Sequence, residues 1–127
     1  MYHRLGRRVE HRDSGLRAVE AASHALAINP ADPRALILGG TTLLRIGEHA
    51  QGREWMERGL KLDAANPITL YNAACFEAIA GRSDAALDHL ERAVHLGLHN
   101  THWLLNDPDI ASVREHPRFQ AVLKQLE

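Results

Sequence analysis

Residues 67–96, PITLYNAACFEAIAGRSDAALDHLERAVHL, contain two helical patterns separated by Gly81-Arg82-Ser83. Small residues stand where the two helices of such a pair would touch, and we expect them to meet across each pair: Gly6 with Ala18, Gly40 with Gly52, and Ala74 with Ala86. A shift of 34 residues toward the N-terminus aligns this stretch with residues 33–62 and brings Ala74 onto Gly40. A second shift of the same size reaches the N-terminal segment. A constant period of this length is typical of a helical repeat array.

The repeated pattern resembles tetratricopeptide repeats, which are helix–turn–helix units with the motif W-x2-L-G-x2-Y…A-x3-F…P. Residues 2–9 follow the first part of this motif as Y-x2-L-G-x2-V, and repeats two and three carry corresponding positions. The family's tryptophan is missing in every repeat, and Glu77 stands at an aromatic position. The resemblance covers residues 2–98, about three quarters of the chain.

The resemblance implies an all-α fold, a right-handed α-solenoid of three helix–turn–helix repeats with a C-terminal helical cap. We expect residues 1–127 to form a single domain. Its predicted parts are repeats at about 1–32, 33–66 and 67–98, and capping helices at about 99–127.

Turn-forming residues predict where the helices begin and end. Asp32 before Pro33 is a helix-start signal, and Gly47 tolerates the left-handed conformation that follows a helix. Asn66-Pro67 and Gly81 repeat this pattern. Asp13-Ser14-Gly15 predicts a turn inside repeat one. The predicted helices therefore cover residues 2–12, 14–28, 33–46 and 49–62, followed by a pair that starts at Pro67 and Ser83.

The segment after Gly97 breaks the period. Two short apolar patches and the helix-start signals Asp107-Pro108 and His116-Pro117 precede a predicted terminal amphipathic helix, so we interpret residues 99–127 as the cap that repeat arrays need. The stretch NDPDIASVREHPRFQAVL also resembles the tail that closes repeat arrays in some bacterial multidomain signalling proteins. In some of those proteins the upstream part is a nucleotide cyclase or a kinase.

Composition excludes several classes of function. The net charge is −1 and the pI is near 6.8, so no overall positive field predicts binding to nucleic acid or to a membrane surface. No stretch approaches the roughly 20 apolar residues of a spanning helix, and the first 13 residues lack the apolar run of a signal peptide. The single cysteine, Cys75, fits a reducing compartment. We therefore predict a cytoplasmic protein.

No motif predicts an enzyme or a cofactor. His11-Arg12-Asp13 matches part of a kinase catalytic loop, but the glycine-rich loop and the metal-binding motif of kinases are missing. His95, His99 and His102 are spaced by four and three residues, and Gly97 breaks the helix that would bring them together. We predict no metal site, and we expect Cys75 to be packed or to line a groove.

The resemblance implies that the first helix of each pair lines a concave groove for a peptide or partner helix. We therefore predict a non-catalytic protein–protein interaction module. The groove residues are expected to be basic in repeat one and more apolar in repeats two and three. They are Arg4 and Arg7; Arg34, Leu38, Thr41 and Arg45; and Tyr71, Asn72, Cys75 and Ile79.

Two other interpretations stay open. Apolar groove positions such as Leu38 and Ile79 are alternatively packed by neighbouring helices or by the tail. The chain is alternatively a self-associating module, in which Trp55, Trp103 or the apolar helix 35–46 forms a homodimer contact, or the detached regulatory tail of a cyclase-type or kinase-type protein. Met1 stands almost at the first position of the repeat pattern, which is unusual for a complete array.

Overall fold

The computed structural model describes the backbone of residues 2–127 and the side chains of residues 13–127. This part of the chain is helical and contains no strand, which confirms the all-α class. The elements are α1 (Tyr2–Ile28), α2 (Pro33–Arg45), α3 (His49–Leu62), α4 (Pro67–Ile79), α5 (Ser83–His95), α6 (Thr101–Asn106), a 3₁₀ helix (Pro108–Val113) and α7 (Pro117–Gln125).

The helices form two compact units, Met1–Leu62 and Asp63–Glu127. In the first unit, α2 packs against both α1 and α3. In the second unit, α4 packs against α5, and the tail packs on this pair through the 3₁₀ helix and α7. In the described part of the chain, none of the helices combines the length and the apolar character needed to cross a membrane.

The predicted helix starts and ends in both pairs are confirmed. Asp32 Oδ1 accepts a hydrogen bond from the Ala35 amide at 3.2 Å, and Asn66 Oδ1 accepts one from the Ile68 amide at 2.9 Å. Each capping residue is followed by a proline at the first helical position, where no amide hydrogen is needed. Gly47 has a φ of 95°, so it ends its helix in the left-handed region where a side chain would be strained.

The predicted turn at Asp13-Ser14-Gly15 is wrong, because α1 continues through it as one helix of 27 residues. None of these three residues is a proline, so every backbone amide can stay in the helical hydrogen-bond pattern. Gly15 is buried, and a Cβ atom there would collide with the side chain of Ile46. This close packing offsets the cost of a glycine inside a helix. Repeat one is consequently a single helix, and its predicted packing of Gly6 on Ala18 within one chain is also wrong.

Close approach between α2 and α3 depends on glycine, as predicted. A Cβ atom at Gly40 would lie 2.6 Å from the carbonyl oxygen of Gly52, and one at Gly52 would lie 2.6 Å from the Gly40 oxygen. A Cβ atom at Gly59 would lie 2.9 Å from the Pro33 carbonyl oxygen. In the second unit the corresponding Ala74 is fully buried in α4.

The tail is well packed within the second unit. Phe119 from the predicted terminal helix is fully buried, as is Ile110 from the 3₁₀ helix. Arg118 joins α7 to α5: its Nη2 atom lies 2.5 Å from a carboxylate oxygen of Asp88 and of Glu91. These hydrogen bonds raise the pKa of Arg118 above its usual value, so its charge is retained. The tail is therefore a folded part of the unit.

Candidate functional site: the α1–α2 groove

A groove of about 320 Å³ runs between α1 and α2 in the first unit. We call it the α1–α2 groove. Its volume is near the lower limit of ligand pockets, which suits a few side chains of a partner. It is lined mainly by small and aliphatic side chains with one arginine: Ala18, Ala21 and Ala22 from α1, and Arg34, Ala35, Leu38, Gly39 and Thr42 from α2, with Asp32 preceding α2.

The local sequence explains why this groove is open and mostly apolar. The three alanines of α1 leave little side-chain volume above the helix backbone. Leu38 is 43% exposed although it lies in the middle of α2, and Arg34 is exposed one turn earlier. The hydroxyl of Thr42 donates to the Leu38 carbonyl at 3.0 Å, so it is satisfied without a ligand. The groove therefore offers apolar contact beside the exposed guanidinium of Arg34 and the half-buried side chain of Asp32.

The other residues predicted for the first unit have different environments. Thr41 is only 7% exposed, and its hydroxyl donates to the Ile37 carbonyl at 3.0 Å. Arg45 is exposed at the end of α2. Arg4 and Arg7 lie outside the residues whose side chains are described.

In the second unit, the tail covers part of the predicted groove on α4. Tyr71 is 4% exposed, its hydroxyl donates to Asp107 Oδ2 at 2.5 Å, and its ring lies 5.4 Å from that of Trp103. Burial and this hydrogen bond raise the pKa of Tyr71 above its ordinary value. Cys75 is also buried, as expected for a packed residue, while Asn72 and Ile79 are half-buried.

Asp107 is the residue that sequence reasoning missed at this place. Its Oδ1 atom accepts from the Asp109 amide at 2.9 Å, and its carbonyl accepts from Arg114 Nη2 at 2.7 Å. The Asp-Pro pair indicated a helix start, which is confirmed, although the element is a 3₁₀ helix. Its bond to Tyr71, 36 residues away in sequence, had no local signal.

Cys75, Asp107 and Asp109 form the one cluster in residues 13–127 whose ligand atoms could surround a metal ion. These atoms lie within 4.8 Å of one another. Zinc can take thiolate and carboxylate ligands at about 2.0–2.3 Å. Both carboxylate oxygens of Asp107 also accept hydrogen bonds, from Tyr71 and from the Asp109 amide. Through its bond to Tyr71, Asp107 joins the tail to α4.

The three predicted surface histidines do not share a metal cluster in the described part of the chain. His99 Nδ1 lies 2.9 Å from the Gly97 carbonyl oxygen, and His102 Nδ1 lies 3.2 Å from the Asn106 side-chain amide. His95 is exposed at the end of α5.

A buried carboxylate lies between α4 and α5. Glu77 is 3% exposed, and its Oε2 atom is 3.4 Å from Arg82 Nη1. Nearby, burial lowers the pKa of His89, while Glu77 and Asp88 oppose this shift. The Glu77 side chain thus faces the guanidinium of Arg82, which follows the C-terminal end of α4.

No known protein family, curated protein or solved structure matches this chain. The α1–α2 groove and the 34-residue repeat pattern are the features of the chain that bear on its function.

Proposed function

We propose that the chain is a non-catalytic protein-binding module of the tetratricopeptide type, and that the α1–α2 groove receives a helix of a protein partner. The observation that carries this proposal is the exposure of Leu38 beside three alanines of α1. A helix binds such a groove with apolar side chains spaced by three and four residues. Small residues on the receiving surface allow the two backbones to approach closely.

The regular spacing of the two helix pairs supports the assignment to tetratricopeptide repeats. Pro67 at the start of α4 follows Pro33 at the start of α2 by 34 residues. Ser83 at the start of α5 follows His49 at the start of α3 by the same number. This period is the length of the family's helix–turn–helix unit. The right-handed α-solenoid, the absence of enzymatic activity and the cytoplasmic location remain predictions.

Leu38→Asp tests the groove, because it places a charge where an apolar contact is proposed. Leu62→Asp is the matched control, since Leu62 is 52% exposed at the end of α3 and does not line the groove. A partner is first captured with the wild-type chain from a lysate of the native host. The purified partner is then titrated against each variant by fluorescence anisotropy.

We expect Leu38→Asp to weaken binding at least about tenfold, because removing a carboxylate from water costs several kcal/mol. Leu62→Asp should bind like the wild type. Circular dichroism should show equal helicity for all three proteins, since both leucines are exposed. Equal affinity of the two variants would exclude the α1–α2 groove as the binding site.

A further inference from the structure

The α2–α3 contact defines which residues meet when the first helix of a pair packs on the second. A Cβ atom at Gly40 would lie 2.6 Å from the Gly52 oxygen, 3.0 Å from the Met56 nitrogen and 3.3 Å from the Trp55 Cβ atom. Gly40 on α2 therefore fits between Gly52, Trp55 and Met56 on α3.

The same contact can be transferred to the N-terminal segment by the 34-residue period. Gly40 then corresponds to Gly6, and the three receiving residues correspond to Ala18, Ala21 and Ala22. These three alanines line the α1–α2 groove, and the first two are exposed. The face of α1 that matches the receiving face of α3 is thus the face that borders the groove.

Residues 2–12 cannot occupy this groove in their own chain. They continue α1 as one helix with residues 13–28. Along a helix that rises about 1.5 Å per residue, Val9 and Ala18 are separated by roughly 13–14 Å. In the α2–α3 pair, by contrast, the corresponding Leu43 Cβ atom lies 3.3 Å from a Cβ atom built at Gly52.

We propose that residues 2–12 of a second copy of this chain occupy the α1–α2 groove, and that the exchange is reciprocal. This inference rests on the proposed function and names the partner of the groove. Two copies related by a twofold axis can each supply one segment and fill one groove, which gives a closed dimer. Exchange of an identical element between two copies is a low-cost route to dimers.

The sequence of residues 2–12 matches this role. Tyr2 and Val9 correspond to Leu36 and Leu43 of α2, which are 0% and 3% exposed in the α2–α3 pair. Gly6 corresponds to the position of closest backbone approach. Each copy of the chain thus carries one matching apolar face and one groove. For this reason we favour a second copy over a different protein.

A disulfide between the proposed neighbours tests the exchange directly. In the double variant Val9→Cys/Ala18→Cys, the two Cβ atoms would be near the 3.5–4.5 Å separation of a disulfide only if residues 2–12 pack on another helix. The control is Val9→Cys/Arg17→Cys, because Arg17 is exposed and is absent from the groove lining. Equal amounts of ¹⁴N-labelled and ¹⁵N-labelled protein are mixed after unfolding, refolded together and oxidised mildly.

We expect the double variant to form a covalent dimer with cross-linked peptides that contain both isotope labels, and the control to form at least about tenfold less. The rate of mild oxidation follows the proximity of the two sulfur atoms. Light scattering of the wild-type chain should give twice the chain mass of 14.1 kDa. Ala18→Leu fills the groove from an exposed position and should give the monomer mass with unchanged helicity.

Two outcomes would overturn the exchange. The first is a disulfide within one chain, which would mean that residues 2–12 fold back on their own helix. The second is a monomer mass together with no cross-link above the control. Neither outcome tests the proposed function. That function is excluded only if a different protein binds the chain with an affinity that Leu38→Asp does not change.

Discussion

Two single residues, Gly40 and Gly52, determine how closely α2 and α3 approach. A Cβ atom at either position would lie 2.6 Å from the carbonyl oxygen of the other residue. A change of side-chain rotamer cannot relieve this clash, because the oxygen belongs to the backbone. Glycine costs about 0.5–1 kcal/mol inside a helix relative to alanine, so the helix pair keeps it only where contact requires it.

Gly40→Leu should lower the free energy of unfolding by roughly 1–3 kcal/mol, because the new side chain overpacks the contact with Gly52. The measurement is urea-induced unfolding followed by circular dichroism at 222 nm. Ala50→Leu is the control, since Ala50 is exposed near the start of α3 and its substitution should change stability little. An unchanged unfolding midpoint for Gly40→Leu would contradict the packing register.

His89 should make the stability of the second unit depend on pH. Its folded pKa lies below the unfolded value of about 6.5 because burial disfavours the charged ring. The stabilisation from neutral His89 is fully present above the unfolded pKa and is lost as the pH falls through the folded pKa. In this range the unfolded state binds more protons, so stability rises with pH by at most about 1.4 kcal/mol per unit.

To test this effect, the free energies of unfolding of the wild type and of His89→Gln are measured between about pH 5 and 7.5, a range around the unfolded pKa. The slope against pH should be smaller for His89→Gln, because glutamine does not titrate. His95→Gln is the control on the same helix, as His95 is exposed. Parallel curves for all three proteins would show that His89 does not contribute.

α1 and the tail each pack against a helix pair, with different results. The tail buries Ile110, Val113 and Phe119 within the second unit and anchors itself to α4 through Asp107. α1 presents three alanines beside Leu38 and leaves a groove. The open groove is therefore at α1, while the tail covers Tyr71 on α4.

Tyr71→Phe should destabilise the second unit by about 1.5–3 kcal/mol, which is the usual contribution of a hydrogen bond to a charged group. The substitution removes the hydroxyl that donates to Asp107 and keeps the ring beside Trp103. A double-mutant cycle with Asp107→Asn, measured by guanidinium unfolding, isolates the bond. Additive effects of the two substitutions would mean that the hydroxyl and the carboxylate are not coupled in solution.

The two units of the chain contain different structural features. The first unit contains the α1–α2 groove, and the second contains a helix pair closed by its own tail. If two copies exchange residues 2–12, the groove of the first unit is filled in the dimer. A different partner would then compete with dimer formation, and its apparent affinity would fall as the concentration of the chain rises.

Local sequence signals determined most of the secondary structure of this protein. Asp32-Pro33, Asn66-Pro67 and Gly47 predicted helix ends correctly, because capping, proline geometry and positive φ act within a few residues. The 34-residue period also predicted that Gly40 meets Gly52. Arg34 and Leu38, which line the α1–α2 groove, are also among the groove residues predicted from the sequence.

The remaining features depend on tertiary contacts. Asp13-Ser14-Gly15 has the composition of a turn, yet packing of Gly15 against Ile46 favours a continuous helix. The pairing of Tyr71 with Asp107 joins residues that are 36 positions apart, so no local pattern encodes it. Capping and periodicity are short-range properties that the sequence carries by itself, whereas burial and partner choice depend on which distant surfaces meet.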